Sequence, residues 1–366
     1  MPLSAVQPDR YEELLAAKVE RVQAKFRDFE APAPTVFSSP SSGFRMRAEF
    51  RMWHDGDDLD YVMFRREDPK TPVPIDGFPI ACENIQTLMF PLRDALRGNE
   101  SLRRKLFQVE FLSTQTGDTL VTLIYHRKLD ELWESEARAL AAQFGIAIVG
   151  RSRKQKVVLD RDYVTEQLSI NGRNYQYRQY EQAFTQPNAR VNTHMIEWAC
   201  EQAKDSSGDL LELYCGNGNF TLPLAQHFDQ VIATELAKIS TRAAQHNLES
   251  NGVENVAMIR LSAEEVSQAM AGVREFRRLK VLPKALTDYQ LDTVFVDPPR
   301  AGLDDETVKM VAEFKTILYI SCNPDTLAEN LKVLSQSHSV QAFVLFDQFP
   351  YTDHMECGVL LQQRMP

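Results

Sequence analysis

The amino-acid sequence predicts an α/β protein whose C-terminal half forms a doubly wound parallel sheet, preceded by a mixed α+β region. From about residue 181, short apolar runs alternate with stretches of helical periodicity, a pattern typical of parallel sheets with helices on both faces. Residues 35–180 instead contain pairs of strand-like runs joined by turn residues. A chain of 366 residues has room for at least two such cores.

The N-terminal residues are expected to form a segment of their own. They follow an amphipathic helical pattern that stops before Ala31-Pro32-Ala33-Pro34, because proline lacks an amide hydrogen and breaks a helix. The predicted organisation is therefore a helix and linker at 1–34, an α+β domain at 35–180 and an α/β domain at 181–366.

The α+β region begins with a predicted hairpin over residues 44–64, which alternates around His54-Asp55-Gly56-Asp57. In a strand of period two, one face is apolar and the other projects Arg45, Arg47 and Arg51 together. The elements expected after it are a helix at 82–97, strands on both sides of Thr116-Gly117-Asp118, a helix at 129–143, a strand IAIVG, and a hairpin at Asn171-Gly172.

The α/β region is expected to begin with a helix near 190–203. Helices then separate most of the apolar runs LLELY, VIATE, VAMIRL, TVFVD, ILYIS, AFVLFD and CGVLL. In a doubly wound sheet, ligands bind at the carboxyl ends of the strands. We therefore expect the functional residues at those ends.

Charge and composition exclude several classes of protein. The net charge of −10 argues against indiscriminate nucleic-acid binding, because phosphate affinity comes mainly from Lys and Arg. An RNA partner would need a local basic face, such as the arginine strand or the groups around Arg103 and Arg153. No apolar stretch has the length of a membrane span, and the N-terminus does not resemble a signal peptide.

Five cysteines form an odd set with no close pair. A disulfide framework, a metal site or an iron–sulfur cluster is therefore not expected. A location in the reducing cytoplasm is expected instead.

A glycine-rich turn follows the first strand of the α/β region. Gly216 and Gly218 lie between the strand LLELY and a helix, and Glu235 ends the next strand, near the ~20-residue interval at which an acid accepts from a ribose hydroxyl. Thr221 stands where a dinucleotide site would favour a third glycine. The pattern favours an adenosine without phosphates over NAD.

Two later strands end in residues that suit catalysis. The fourth ends in Asp297-Pro298-Pro299-Arg300, a rigid loop that can hold a planar base. The fifth leads into Ser321-Cys322-Asn323-Pro324. A cysteine at this edge is a candidate nucleophile, whereas a lone cysteine elsewhere is more often a buried structural thiol.

The motifs LELYCGNGNF, FVDPPR, YISCNP and HMECGVLL resemble those of the RNA uracil-5-methyltransferase family. FRMRAEFRMWHDGDDL and FTQPN resemble its tRNA-modifying branch. The resemblance covers nearly the whole chain and implies a Rossmann-like S-adenosylmethionine methyltransferase domain after an RNA-recognition domain. The extra oligonucleotide-binding domain and four-cysteine cluster common in relatives acting on ribosomal RNA are not found in this sequence.

The resemblance also implies roles for individual residues. Cys322 would be the nucleophile, and Glu356 the general base. The residues around S-adenosylmethionine would be Gln186, Tyr214, Asn219, Glu235 and Asp297. The substrate would be uridine 54 in the T arm of tRNA, with T-loop-like domains of other RNAs such as tmRNA as further substrates. No metal, membrane or obligate protein partner is implied.

The residue types are consistent with covalent catalysis at uracil. A Cys322 thiolate adding to carbon 6 would make carbon 5 nucleophilic, and a base must afterwards remove the carbon 5 proton. The base would have to leave its stack. Arg45, Arg47 and Arg51 could then bind RNA, and Phe107 could fill the vacated space.

Other functions stay open at this point. A ribosomal RNA uracil-5-methyltransferase or a cytosine-5 enzyme would share the cysteine chemistry. A methyltransferase for an exocyclic adenine nitrogen would leave Cys322 unexplained. A tRNA-binding folding factor, for which methylation is secondary, would need no catalysis.

Overall fold

The computed structural model describes residues 5–65 and 67–364. They form two compact units. The first unit comprises the described residues of Met1–Pro8, Pro40–Gln167 and Arg178–Ala189. The second comprises those of Asp9–Ser39, Leu168–Tyr177 and Arg190–Pro366. Within the described part of the chain, no helix is long and apolar enough to cross a membrane.

The strands, in chain order, are β1 (Thr35–Phe37), β2 (Arg47–Asp55), β3 (Asp58–Phe64), β4 (Pro72–Pro74), β5 (Leu106–Ser113), β6 (Thr119–Tyr125), β7 (Ala147–Ser152), β8 (Gln155–Val158), β9 (Tyr163–Ile170), β10 (Arg173–Tyr180), β11 (Asp209–Leu213), β12 (Val231–Thr234), β13 (Val256–Ile259), β14 (Leu291–Val296), β15 (Thr316–Ser321), β16 (His338–Phe346) and β17 (Glu356–Gln363). The α-helices are α1 (Tyr11–Gln23), α2 (Glu83–Gly98), α3 (Glu100–Arg103), α4 (Glu131–Phe144), α5 (Ala189–Ala203), α6 (Thr221–Leu224), α7 (Lys238–Ser250), α8 (Ala263–Met270), α9 (Asp305–Val311) and α10 (Pro324–Leu334).

The first unit contains a seven-stranded sheet in the order β4-β3-β2-β5-β6-β7-β8. Neighbouring strands are antiparallel except β6 and β7. Helix α2 contacts β3 and β5, and α4 contacts β7. The predicted hairpin over 44–64, the strands on both sides of Thr116-Gly117-Asp118 and both predicted helices are present. The hairpin predicted at Asn171-Gly172 is also present, as a separate two-stranded sheet of β9 and β10 whose turn belongs to the second unit.

Residues within and next to helix α4 determine where the helix starts, where it ends and how it packs. The Asp130 side chain accepts from the amide of Trp133 at 2.9 Å, which caps the helix start. Gly145 ends the helix with a φ of 65°, the left-handed conformation that glycine adopts without a Cβ penalty. The Trp133 ring packs so closely on β7 that a Cβ on Gly150 would lie 2.2 Å from it.

The second unit contains an eight-stranded sheet in the order β1-β16-β17-β15-β14-β11-β12-β13. The predicted doubly wound α/β fold is confirmed, but the sheet is mixed: β17 runs antiparallel to both β15 and β16. The segment from 347 to 355 joins β16 to β17 without a crossover helix. Parallel strands require a crossover connection, so the direct return makes β17 antiparallel.

The N-terminal helix packs into the second unit. Tyr11, Leu15, Val22 and Phe26 belong to the same hydrophobic core as the sheet residue Val296. Strand β1, which follows the proline-rich segment, pairs with β16. The structure thus places the N-terminal segment in the second unit's core, while the domain boundaries at residues 34 and 180 stay predictions.

A buried ion pair links this helix to the loop before β17. Lys18 Nζ lies 2.5 Å from Asp347 Oδ1 and donates to the Phe349 carbonyl at 3.0 Å. The Tyr11 hydroxyl donates to the other carboxylate oxygen of Asp347 at 2.8 Å. Lys18 and Asp347 are buried, so removing one partner leaves an uncompensated buried charge.

We predict that Lys18→Met lowers the free energy of unfolding by about 3–5 kcal/mol, because the Asp347 carboxylate loses its cation. The matched control is Lys25→Met, since Lys25 pairs with Asp325 at an exposed position and exposed pairs contribute about 0–1 kcal/mol. Urea unfolding of both variants measures the difference. Equal losses would contradict a structural role for the buried pair.

Candidate active site

Three predicted cofactor residues lie in one row at the carboxyl edge of the second unit's sheet. Leu213 of β11 pairs with Thr234 of β12 and with Val296 of β14. Tyr214, Glu235 and Asp297, the residues that follow these three, therefore leave neighbouring parallel strands at the same level. This is the edge at which doubly wound sheets bind their ligands.

The glycine-rich turn after β11 brings its backbone to Glu235. Tyr214, Gly216 and Gly218 have positive φ values of 59°, 57° and 84°, and only glycine adopts such angles freely. The Gly216 amide donates to Glu235 Oε2 at 3.1 Å, and the Ala237 amide donates to Oε1 at 2.6 Å. These bonds fix the carboxylate, while each oxygen keeps a lone pair for a ligand hydroxyl.

The other two predicted cofactor residues have different surroundings. The side-chain amides of Asn219 and Asn192 exchange two hydrogen bonds of 2.8 Å, and the Asn219 carbonyl accepts from the Tyr177 hydroxyl at 3.1 Å. Asn219 is therefore held against α5. Gln186 is half-buried and belongs to the first unit. The cofactor roles of both residues stay predictions.

Cys322 and Glu356 occupy adjacent strands at the same edge. Ser321, the last residue of β15, pairs with Cys357 of β17 in an antiparallel register. The neighbouring residues Cys322 and Glu356 therefore lie at the same edge, close enough for the Glu356 charge to act on the thiol. Glu356 is buried, whereas Cys322 is partly exposed. Asp297 leaves β14, on the other side of β15. The fold thus brings the predicted nucleophile and the predicted base together.

The loop that carries Cys322 is held by its own sequence. The Asn323 side chain accepts from the Asp325 amide at 3.1 Å and so caps α10, whose first residue is Pro324. The same side chain donates to the Arg300 carbonyl at 3.0 Å. The cysteine loop and the Asp-Pro-Pro-Arg loop are therefore joined directly.

Burial dominates the protonation of this site. It raises the pKa of the Cys322 thiol to about 12, with Glu356 and Asp297 adding to the rise and Arg300 opposing it. Burial, followed by the Asp297 charge, raises the pKa of Glu356 well above its ordinary value. Burial raises the pKa of Asp297 to about 7. The sequence suggested a reactive thiolate, but the resting thiol is protonated, mainly because burial raises its pKa.

Glu212 is a further member of the site that the sequence analysis did not single out. It lies in β11, fully buried, and within the described residues neither carboxylate oxygen has a hydrogen-bond partner. Burial raises its pKa to about 8, and the Asp297 charge adds to the rise. An acid inside the apolar run Leu210-Leu211-Glu212-Leu213 violates the pattern of a buried strand, and this violation was the available signal.

The arginines of the predicted strand face differ in their exposure. Arg47 donates to the carbonyls of Glu181 and Ala183, the latter at 2.9 Å, and Arg45 donates to the Arg47 carbonyl at 2.8 Å. Both are partly buried. The predicted alternation is present, but Arg45 and Arg47 are less exposed than Arg51 because they satisfy backbone carbonyls. The RNA-binding roles of all three stay predictions.

The third arginine takes part in an aromatic stack on the first unit. The Arg51 guanidinium lies 3.8 Å from the centre of the Phe107 ring. On that ring, His126 stacks at 4.0 Å with an interplanar angle of 28°. Arg51 and His126 are exposed. His126 was missed from the sequence, where the run His126-Arg127-Lys128 after a strand was the available signal.

Comparison with known proteins places this geometry in a family. The family model described as tRNA (Uracil-5-)-methyltransferase matches residues 10–364. A tRNA/tmRNA (uracil-C(5))-methyltransferase of Vibrio parahaemolyticus is 55% identical over 98% of this chain and 98% of its own length. The protein of the same name from Aromatoleum aromaticum is 54% identical over 100% of this chain and 98% of its own length.

A solved structure shares the fold. The tRNA (uracil-54, C5)-methyltransferase of Pyrococcus abyssi, crystallised with S-adenosyl-L-homocysteine, is 22% identical, with a TM-score of 0.73 over 96% of this chain and 83% of that chain. The family match spans almost all of the chain, and the expectation of an S-adenosylmethionine-dependent RNA uracil-5-methyltransferase is confirmed. The chain belongs to the tRNA (uracil-5-)-methyltransferase family.

Proposed function

We propose that this enzyme methylates carbon 5 of uridine 54 in the T loop of tRNA, and a T-loop-like uridine in tmRNA, with S-adenosylmethionine as methyl donor. The observation that carries the proposal is the register of β15 and β17, which pairs Ser321 with Cys357 and so brings the neighbouring residues Cys322 and Glu356 to the edge at which Asp297 lies. The names of the relatives support the two RNA substrates. The proposal includes a cytoplasmic location, because tRNA is modified there.

The residues of the sheet edge fit S-adenosylmethionine. Within the described residues, no cation acts on the pKa of the buried Glu212 or of the partly exposed Asp297, and the cofactor carries a sulfonium and an ammonium. The fixed carboxylate of Glu235 suits its ribose hydroxyls. A Cβ on Gly216 would meet nothing within 4 Å, so this turn leaves room for a ligand. When bound, the cofactor supplies an electrophilic methyl group.

Cys322 and Glu356 would divide the remaining chemistry. Carbon 5 of uracil is a poor nucleophile. The partly exposed Cys322 thiol gives its proton to solvent as its sulfur bonds to carbon 6, and electron density shifts to carbon 5. Because burial raises the pKa of Glu356 well above its ordinary value, its protonated form repels the developing thiolate less than a carboxylate would, and Arg300 favours the thiolate. Once ionised, Glu356 is a strong base because its pKa is raised. It removes the carbon 5 proton, and the cysteine is then expelled.

The stack of Arg51, Phe107 and His126 would receive the RNA loop. A base that leaves its stack loses a few kcal/mol, and aromatic or guanidinium planes can replace the lost contacts. Arg51 and His126 are the exposed ends of the stack. Arg45 and Arg47 would contribute to RNA binding by holding the backbone of this unit.

We predict that an unmodified tRNA transcript incubated with methyl-labelled cofactor gains one 5-methyluridine at position 54. Nucleoside mass spectrometry and fragment mapping identify the product, and a transcript with cytidine at position 54 is the control. Methylation of ribosomal RNA with inert tRNA would refute the substrate.

We predict that Cys322→Ala abolishes both the covalent RNA adduct and methylation, because carbon 5 is never activated. Glu356→Gln still adds and methylates but retains the carbon 5 proton, so a methylated adduct accumulates. Denaturing gels measure the adduct. The control is Cys357→Ala, because this neighbouring thiol lies in the hydrophobic core. Normal turnover of Glu356→Gln would remove this residue from the mechanism.

We predict that the ligand-free protein loses stability as pH rises from about 4.5 to about 8. The pKa of Glu212 is raised from 4.5 to about 8 on folding, so the folded state binds more protons than the unfolded state in this window. Glu212→Gln should flatten the melting temperature against pH there, whereas the exposed Glu264→Gln should not. Parallel curves for the parent and Glu212→Gln would contradict the burial of an ionisable group.

A further inference from the structure

Three exposed cations line a surface pocket on the first unit that the proposed chemistry does not use, and two more lie in the adjoining segment, whose carbonyls accept hydrogen bonds from the pocket residues His126 and Arg127. The pocket has a volume of about 640 Å³ and is lined by residues 125–128 and 152–155. We call its charged border the cationic rim. It consists of Arg104, Lys105, Lys128, Arg153 and Lys154, all of them exposed.

The rim differs from the other basic residues of the same segments, which are neutralised. Arg103 pairs with Asp57 at 2.6 Å, and Lys156 pairs with Glu181 at 2.8 Å. Arg151 also pairs with Glu181. Within residues 5–65 and 67–364, no rim side chain forms an ion pair. On a chain with a net charge of −10, this group of uncompensated cations is a local site for an anion.

The pocket is built by side chains that hold its two walls together. The Gln155 amide donates to the Leu129 carbonyl and accepts from the Leu129 amide, both at 2.9 Å. The Arg127 guanidinium donates to the Arg104 carbonyl at 3.0 Å. The nearby carboxylate of Asp130 caps α4 and lies 3.6 Å from Arg127. These hydrogen bonds therefore hold in place the backbone segments that carry the rim cations.

Two of the rim lysines occupy backbone positions that disfavour lysine. Lys105 and Lys154 have φ values of 58° and 60°, in the left-handed region where glycine and asparagine are the ordinary choices. Lysine at a two-residue turn such as 153–154 brings no packing advantage, since both residues are exposed. We therefore attribute the presence of lysine at these positions to the charge of its side chain.

The pocket adjoins the aromatic stack. His126 lines the pocket and also stacks on Phe107, and its amide donates to the Lys105 carbonyl at 3.0 Å. A strand of RNA whose bases contact the stack would place its next phosphates beside the rim. The volume lies within the ~300–1,000 Å³ range that accommodates a small ligand, enough for one nucleotide unit.

We infer that the cationic rim binds the sugar–phosphate backbone of RNA next to the loop that is methylated, with one nucleotide unit seated in the pocket. This inference rests on the proposed function. The rim contributes affinity and orientation of tRNA and does not take part in methyl transfer. Its contacts are to phosphate, so they are sensitive to salt and insensitive to base identity.

The test is the salt dependence of tRNA binding by the triple variant Lys128→Ala, Arg153→Ala, Lys154→Ala. Each lost phosphate contact reduces the slope of log Kd against log salt by about 0.7–0.9, so we expect a reduction of about 2 and a Kd raised at least ~10-fold. Turnover at saturating tRNA and cofactor affinity should stay within about twofold of the parent. The control variant, Arg277→Ala, Lys280→Ala, Lys309→Ala, removes three exposed cations of the second unit.

The outcomes separate the two proposals. Equal slopes for the parent and the rim variant would overturn the rim, even if the parent methylates uridine 54. A parent that leaves tRNA unmethylated would overturn the proposed function, whatever its binding slope. If the control variant shows an equal reduction in the slope of log Kd against log salt, net charge is the cause of the effect. That result would also overturn the proposal that the rim binds RNA.

A single substitution distinguishes binding from structure. Lys154→Asn removes the charge and places at φ 60° a residue that tolerates this angle. We expect a melting temperature no lower than that of the parent, together with a Kd for tRNA raised about threefold. A lower melting temperature with an unchanged Kd would show that Lys154 serves the turn and not the RNA.

Discussion

Burial of carboxyl groups at the carboxyl edge of the second unit's sheet is the constraint on which the site depends. Glu212, Asp297 and Glu356 all have raised pKa values, with burial as the largest cause. Ionised groups in such surroundings are costly without a partner. The resting site therefore holds protons on its acids and on Cys322, and it is prepared for a ligand that brings positive charge.

The fold holds these groups in place through strand register and short loops. The strands β12, β11, β14, β15 and β17 are neighbours in that order, so their ends form one line of functional side chains. Asn323 joins the cysteine loop to the loop after β14. On the far side of β17, the Lys18–Asp347 pair fixes the start of the segment that leads to Glu356. The N-terminal helix is thus part of the support of the site.

Much of this was predictable from local patterns, and the rest depended on tertiary contacts. The strand ends at Glu235, Asp297 and Cys322 follow from apolar runs and turn residues. The antiparallel β17 does not, because strand direction is decided by pairing with distant strands. Arg47 and Arg51 have equivalent positions in the sequence pattern. They differ in the structure because the Arg47 guanidinium donates to the carbonyls of Glu181 and Ala183, which are distant in the sequence. The raised pKa of the Cys322 thiol likewise depends on tertiary structure, since burial is its largest cause and Glu356 and Asp297 add to it.

Proton release on cofactor binding tests the central claim most directly. Calorimetric titration at pH 7 in buffers of different ionisation enthalpy measures how many protons leave when a ligand binds. The account predicts that S-adenosylmethionine, with its sulfonium cation, releases more protons than S-adenosylhomocysteine, and that Glu212→Gln reduces the difference. Binding heats that are independent of the buffer for both ligands would contradict the claim that the acids of the site are neutral until a cationic ligand binds.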